Sequence, residues 1–112
     1  MIMEPDTEYN ENGNTVRVRL GIRGLMPDSS CFGGTATQAS NARIDGPHFS
    51  TRGYRVEIEI NGQNYRKTEA EIEHAIVPGQ CYHEVKNDSL LIFLRKANPS
   101  QSWQGVIRQG HL

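Results

Sequence analysis

The sequence predicts an all-β fold, a compact antiparallel β-sandwich of about seven strands, on three observations. Thr15 to Arg23 alternates apolar and polar residues in strict twos. Val56, Ile58 and Ile60 alternate with Arg55, Glu57 and Glu59, and the pair that follows, Asn61-Gly62, is what a type I′ hairpin turn requires. Almost nowhere does an apolar period of helical spacing persist long enough to bury one face of a helix. A chain of 112 residues is the size of one domain with two packed layers, and 36% hydrophobic with 22% charged residues is a globular balance.

Taken in order, residues 1–14 are polar and without period, and they read as a lead-in to a domain spanning 15–106. In the first strand Val16, Val18, Leu20 and Ile22 point one way, while Arg17, Arg19, Gly21 and Arg23 point the other. From Leu25 onward Pro27, Asp28, Ser29, Ser30, Gly33, Gly34 and Thr35 give the composition of a loop, which we place at 26–47. Arg43 to Ser50 offers a short strand that Gly46-Pro47 confines to an edge or breaks. The hairpin around Asn61-Gly62 sets Ile60 opposite Gln63, Ile58 opposite Tyr65 and Glu57 opposite Arg66, an apolar pair inside and an ion pair outside.

Thr68-Glu69-Ala70-Glu71 has the form of a capping box, so Glu69 to Ala75 reads as a short helical or irregular link. Pro78-Gly79 fits a type II turn and Asn87-Asp88 another, with Cys81–Val85 and Ser89–Arg95 as the strands they separate. Leu90 to Leu94 is apolar on both faces and predicts a central strand. Asn98-Pro99-Ser100 ends it, Trp103 folds back to cap the core, and 107–112 is a polar tail. The expected core holds Val18, Leu20, Ile58, Tyr65, Ile92, Leu94 and Trp103.

Twelve basic against thirteen acidic residues give a net charge of -1, which argues against a nucleic-acid binder, since these advertise a basic face. The longest apolar run, Leu90 to Leu94, is far below the roughly 20 residues that cross a bilayer, so no membrane span is expected. The first residues, Met1 to Asp6, lack the pattern of a secretory signal, and two cysteines, Cys31 and Cys81, fit a reducing cytoplasmic setting better than a disulfide framework.

Metal ligands would need short fixed spacing, and Cys31, Cys81, His48, His74, His83 and His111 are scattered. Cys81-x-His83 shares one strand face but has no third partner. Cys81 with His74 or His83 and Glu84 supplies the residue types of a nucleophile system, yet nothing marks Cys81 as activated, and it reads as a small buried hydrophobe. Gly33 and Gly34 make no phosphate loop. No catalytic site, cofactor or metal is expected.

Arg17, Arg19 and Arg23 share an outward face that suits phosphate, an acidic peptide or an acidic partner; the plainer reading is a solvated face neutralised by Glu57 and Glu59. The alternative function carried by the same three arginines is a nucleic-acid-binding β domain.

Leu90-Leu91-Ile92-Phe93-Leu94-Arg95-Lys96, followed seven residues later by Trp103, resembles the closing strand, basic pair and tryptophan of CS domains. Tyr54–Ile60, Asn61-Gly62-Gln63-Asn64-Tyr65 and Ala75-Ile76-Val77-Pro78 are similar to the central hairpin and following link of that family. The resemblance covers 15–24 and 48–106 and leaves 26–47 as an insertion. Within the family it is nearest to the calcyclin-binding, Siah-interacting group, on Phe49-Ser50-Thr51-Arg52-Gly53-Tyr54, Asn61-Gly62-x-x-Tyr65 and Val85-Lys86-x-Asp88-x-Leu90-Leu91-Ile92, and then to the SGT co-chaperones.

This resemblance implies a small-heat-shock-protein-like sandwich, acting as a monomeric adaptor or co-chaperone that links heat-shock protein 90 or ubiquitin-ligase components to clients. Its partner-binding residues would be Tyr9, Arg17, Arg19, Arg23, Arg95 and Lys96. Where SGT-type domains carry an exposed aromatic, a Lys and a Glu on the chaperone-facing surface, Gly21, Ser89 and Leu91 stand here.

Overall fold

Alternation of apolar and polar residues decides which side of each strand faces inward, and two such inward faces meet to form the core. The computed structural model describes residues 2–28 and 36–109. Eight strands are present: β1 (Ile2–Met3), β2 (Asp6–Asn12), β3 (Thr15–Gly21), β4 (Arg43–Ser50), β5 (Gly53–Ile60), β6 (Gln63–Glu69), β7 (Tyr82–Lys86) and β8 (Ser89–Arg95). One short helix, α1 (Gln104–Gln109), follows them. The strands make two four-stranded sheets, ordered β1-β6-β5-β4 and β2-β3-β8-β7. Every pairing is antiparallel except that of β1 with β6. The fold is the β-sandwich that the sequence predicts.

Val16, Val18 and Leu20 of β3 and Leu90, Ile92 and Leu94 of β8 come from one sheet, and Tyr54, Val56, Ile58 and Ile60 of β5 come from the other. Each such apolar side chain contributes about 1.5–3 kcal/mol on leaving water. Trp103 is fully buried with them, as predicted, whereas Tyr65 is only half-buried and packs against the cluster. The central hairpin has the predicted register, Ile60 against Gln63 and Ile58 against Tyr65, with Arg66 2.7 Å from Glu57. Asn61 and Gly62 both take positive φ, 51° and 77°, the conformation the turn demands.

Several expectations are corrected. The polar lead-in contains β1 and β2: Asp6–Asn12 is an edge strand with Thr7, Tyr9 and Glu11 half-buried on its inward side, which makes eight strands rather than about seven. The loop at 26–47 ends at residue 42, because β4 occupies Arg43–Ser50 as an edge strand whose register shifts between Asp45 and His48, at Gly46-Pro47. Ala36, Ala39 and Ala42 pack against the core, so that part of the segment is not a free loop. Cys31 and Gly33-Gly34 lie outside the described residues, as does His111.

No helix starts at the capping box, because β6 continues through Glu69 to pair with Tyr54 and the sheet hydrogen bonds win over the cap. Pro78–Gln80 is a single 3-10 turn rather than a type II turn. The tail beyond Trp103 forms α1, with Val106 buried and Ile107 against the core, so the part of 107–112 within α1 is structured.

Candidate partner-binding face

The outward side of the β2-β3-β8-β7 sheet follows from its pairings. One row across the strands reads Asn10, Arg17, Phe93 and Tyr82. The next row reads Glu8, Arg19, Leu91 and Glu84, and beyond it lie Asp6, Gly21, Ser89 and Lys86. On the other side of the first row, Asn12 and Thr15 lead to Arg95. Thus β8 is central in its sheet, as predicted, but only its Leu90, Ile92 and Leu94 face is fully buried. Leu91, Phe93 and Arg95 remain half-buried on the outside.

The chemistry of this face centres on two rings. Tyr82 and Phe93 are stacked across β7 and β8 with centroids 4.6 Å apart and planes inclined by 14°. Tyr82 is 55% exposed, the highest among the large apolar side chains of the strands. An exposed, rigid aromatic pair next to a guanidinium is the composition that dominates binding energy at protein interfaces. The sequence signal for it was present: a two-residue turn at Asn87-Asp88 sets Lys86 opposite Ser89, and counting back from there sets Tyr82 opposite Phe93.

The predicted partner residues separate into groups. Arg17 and Arg19 are exposed on this face, and Arg95 is half-buried there. Arg19 is engaged by Glu8 at 3.2 Å, so it is neutralised within its own sheet and not by Glu57 or Glu59, which belong to the other sheet. Arg17, Arg23 and Arg95 have no carboxylate within salt-bridge reach among the described residues. Arg23 is exposed just past the end of β3. Tyr9 is on the inward side of β2, opposite Val18, and packs against the core instead of joining the arginines.

Lys96 is also inward, with its side chain 4% exposed and its ammonium on Glu11. That ammonium also donates to the Gln101 carbonyl at 3.0 Å. Glu11 in turn accepts the Trp103 amide at 2.8 Å and the Gln104 side-chain amide at 2.9 Å. The Lys96 hydrogen bond chiefly holds the Glu11 carboxyl down, from an ordinary 4.5 to about 2, against burial, which raises it. This cluster fastens the C-terminal segment and carries no exposed charge for a partner.

The opposite sheet presents a different surface. Its outward residues pair as Arg43 with Glu59, Asp45 with Glu57 and Glu57 with Arg66, and a cavity of about 260 Å³ lies among them. Arg43 against Glu59 and Arg66 against Glu57 match charges across the strands while Asp45 faces Glu57 as a like charge, and among the described residues no aromatic pair is exposed there.

Cys81 and His83 do share the inward side of the β7 edge, but their groups are otherwise occupied. The Cys81 thiol donates to the Val77 carbonyl at 3.2 Å, and burial pushes its pKa up, with the Arg95 amide opposing. His83 contacts the Thr37 carbonyl at 2.8 Å, His74 packs on Trp103 at 5.6 Å, and Glu84 pairs with Lys86 on the outer face. No nucleophile, base and orienting group converge there. Among the described residues no cluster of His, Cys, Asp and Glu is placed to hold a metal, and no helix is long and apolar enough to cross a membrane. No protein-family model matches the chain, and no curated protein matches it.

Proposed function

We propose that the chain is a CS-type protein-binding module, an adaptor or co-chaperone without a catalytic site, that receives its partner on the outer face of the β2-β3-β8-β7 sheet. The observation that carries this reading is the exposed Tyr82–Phe93 stack, flanked by Leu91 and by the unpaired Arg17. Stacked rings present a large contact area at low entropic cost, because each has only two side-chain torsions to fix. Of Gly21, Ser89 and Leu91, which the resemblance aligns with the chaperone-contacting positions of SGT-type domains, Gly21 and Leu91 are half-buried on this same face and Ser89 is buried. With those anchors absent, the stack beside them takes over as the main contact. Heat-shock protein 90 and ubiquitin-ligase components, met in the cytoplasm, are the partner classes this reading favours.

The test is an NMR titration of the isotope-labelled chain with heat-shock protein 90 at two salt concentrations. Shifts confined to the amides of Tyr82, Leu91, Phe93 and their neighbours at both salts support a co-chaperone. Their absence at both salts removes direct chaperone binding and moves the search to ubiquitin-ligase components.

A further inference from the structure

The outer face described above is unequal in its charges, and the inequality narrows what can dock there. All three lysines of the chain are engaged: Lys67 by Glu4 and Glu69, Lys86 by Glu84 and Lys96 by Glu11. Among the described residues Arg17 and Arg95 have no such partner, and both adjoin Phe93 of the aromatic stack. Arg17 stands directly opposite Phe93, with Asn10 on its other side, and Arg95 stands opposite Thr15. Neither has a carboxylate across the sheet from it.

A guanidinium left without a counter-charge keeps all its donors available for a bidentate carboxylate, which is its best-matched partner. Diagonal neighbours on adjacent strands are about 7–8 Å apart. Arg17 and Arg95 are such a pair, and Phe93 completes a triangle with them. An extended chain sets alternate residues about 6.5–7 Å apart, so two acidic side chains on one side of it match the two guanidiniums. A bulky side chain turned to the same side, two residues before or after that pair, is the one that reaches the Tyr82–Phe93 rings.

We infer that the face selects an extended acidic segment of a protein partner, with carboxylates on Arg17 and Arg95 and a large apolar side chain laid on the Tyr82–Phe93 stack. This rests on the docking face proposed above and names the chemistry of its occupant. A nucleic acid also carries negative charge, but Arg19 and Lys86 are held by Glu8 and Glu84, which leaves two guanidiniums beside apolar Leu91 and Phe93 and no continuous basic track for a phosphate backbone.

Fluorescence anisotropy of the whole chain with labelled short peptides tests the inference. The probes are a peptide with glutamate, glutamate and phenylalanine at alternate positions and serine between them, one with lysine for glutamate, one with glycine for phenylalanine, and a short oligodeoxythymidylate. The glutamate–phenylalanine peptide is expected to bind saturably, and both altered peptides about tenfold or more weakly. Arg17→Glu and Tyr82→Ala should each weaken binding by a similar factor, while the thermal midpoint of each variant shows that the fold is kept. Equal affinity for the glutamate and lysine peptides, or no response to Arg17→Glu, would overturn the inference.

Preference for the oligodeoxythymidylate, with affinity falling steeply in salt, would overturn it in favour of nucleic acid. If the acidic peptide fails while heat-shock protein 90 still shifts the Tyr82 and Phe93 amides, only the acidic class is wrong. If both fail, the docking face falls with it.

Discussion

Lys96 and Glu11 are 85 residues apart in sequence and form a buried ion pair that joins the end of β8 to the inward side of β2. Because Glu11 also holds the Trp103 amide and the Gln104 side chain, the pair governs the whole C-terminal segment. Glu11→Gln leaves the Lys96 ammonium without its counter-charge, an error costing about 3 kcal/mol when a buried partner is removed. Urea unfolding should show that loss, and the double change Glu11→Leu with Lys96→Met should recover part of it.

The same carboxylate sets an acid limit. Its pKa in the fold, about 2, is below the ordinary 4.5, so ionised Glu11 stabilises the folded chain fully above about pH 4.5. That contribution fades as pH falls from 4.5 towards 2, where the folded form also takes up the proton. Urea midpoints across this window should drop steeply in the native chain. A Glu11→Gln variant, already weaker at neutral pH, should show a shallower drop.

Trp103 is the chain's single tryptophan and is fully buried. Its fluorescence should therefore emit at short wavelength in the folded chain and move to longer wavelength on unfolding. Trp103→Ala should cost about 3–5 kcal/mol, as for other large aromatics removed from a core. Helix α1 should be loosened with it, since its Val106 is buried in the same cluster as the Trp103 ring. Hydrogen exchange over 104–109 reads that loosening directly.

At Gly53 a methyl group would collide with the Glu69 carbonyl oxygen of the adjoining strand. Gly53→Ala should lower stability by about 1–3 kcal/mol, the cost of overpacking. Gly62→Ala meets nothing within 4 Å and suffers only its positive φ, so it should cost about 1 kcal/mol. Thermal unfolding of the two variants side by side checks the order.

How legible the fold was depended on how each strand earns its place. The β5–β6 hairpin was readable to the residue, because alternation and the Asn61-Gly62 turn both fix one register. β2 was not readable, because Asp-Thr-Glu-Tyr-Asn-Glu-Asn has no apolar stripe and is held by backbone pairing to β3 and by the Glu11 cluster. The capping box at Thr68 was outweighed by a strand already paired through Glu69. For the candidate face, Arg17 and Arg19 were placed by alternation alone. The half-exposed side of β8 with Phe93 was not singled out, since an apolar run says nothing about whether its second side is covered. Tyr9 and Lys96 were assigned to the surface because residue type alone does not reveal an inward position in an edge strand or an ion pair that spans the chain.

The edges of the two sheets close off one way of meeting other chains. β1 lies along Asn64 and Tyr65 of β6, and Glu4 beyond it is tied to Lys67. β4 is interrupted where its register shifts at Gly46-Pro47, and the Val85 amide of β7 is already given to the Ala36 carbonyl at 2.7 Å. β2 runs along its rim as a row of acids and amides. None of the four rims offers a long, flat, apolar ladder onto which a foreign strand could zip, so these rims resist sheet extension and the fibrous stacking it leads to. Recognition by this molecule is thereby steered from strand addition to contact between side chains on a face.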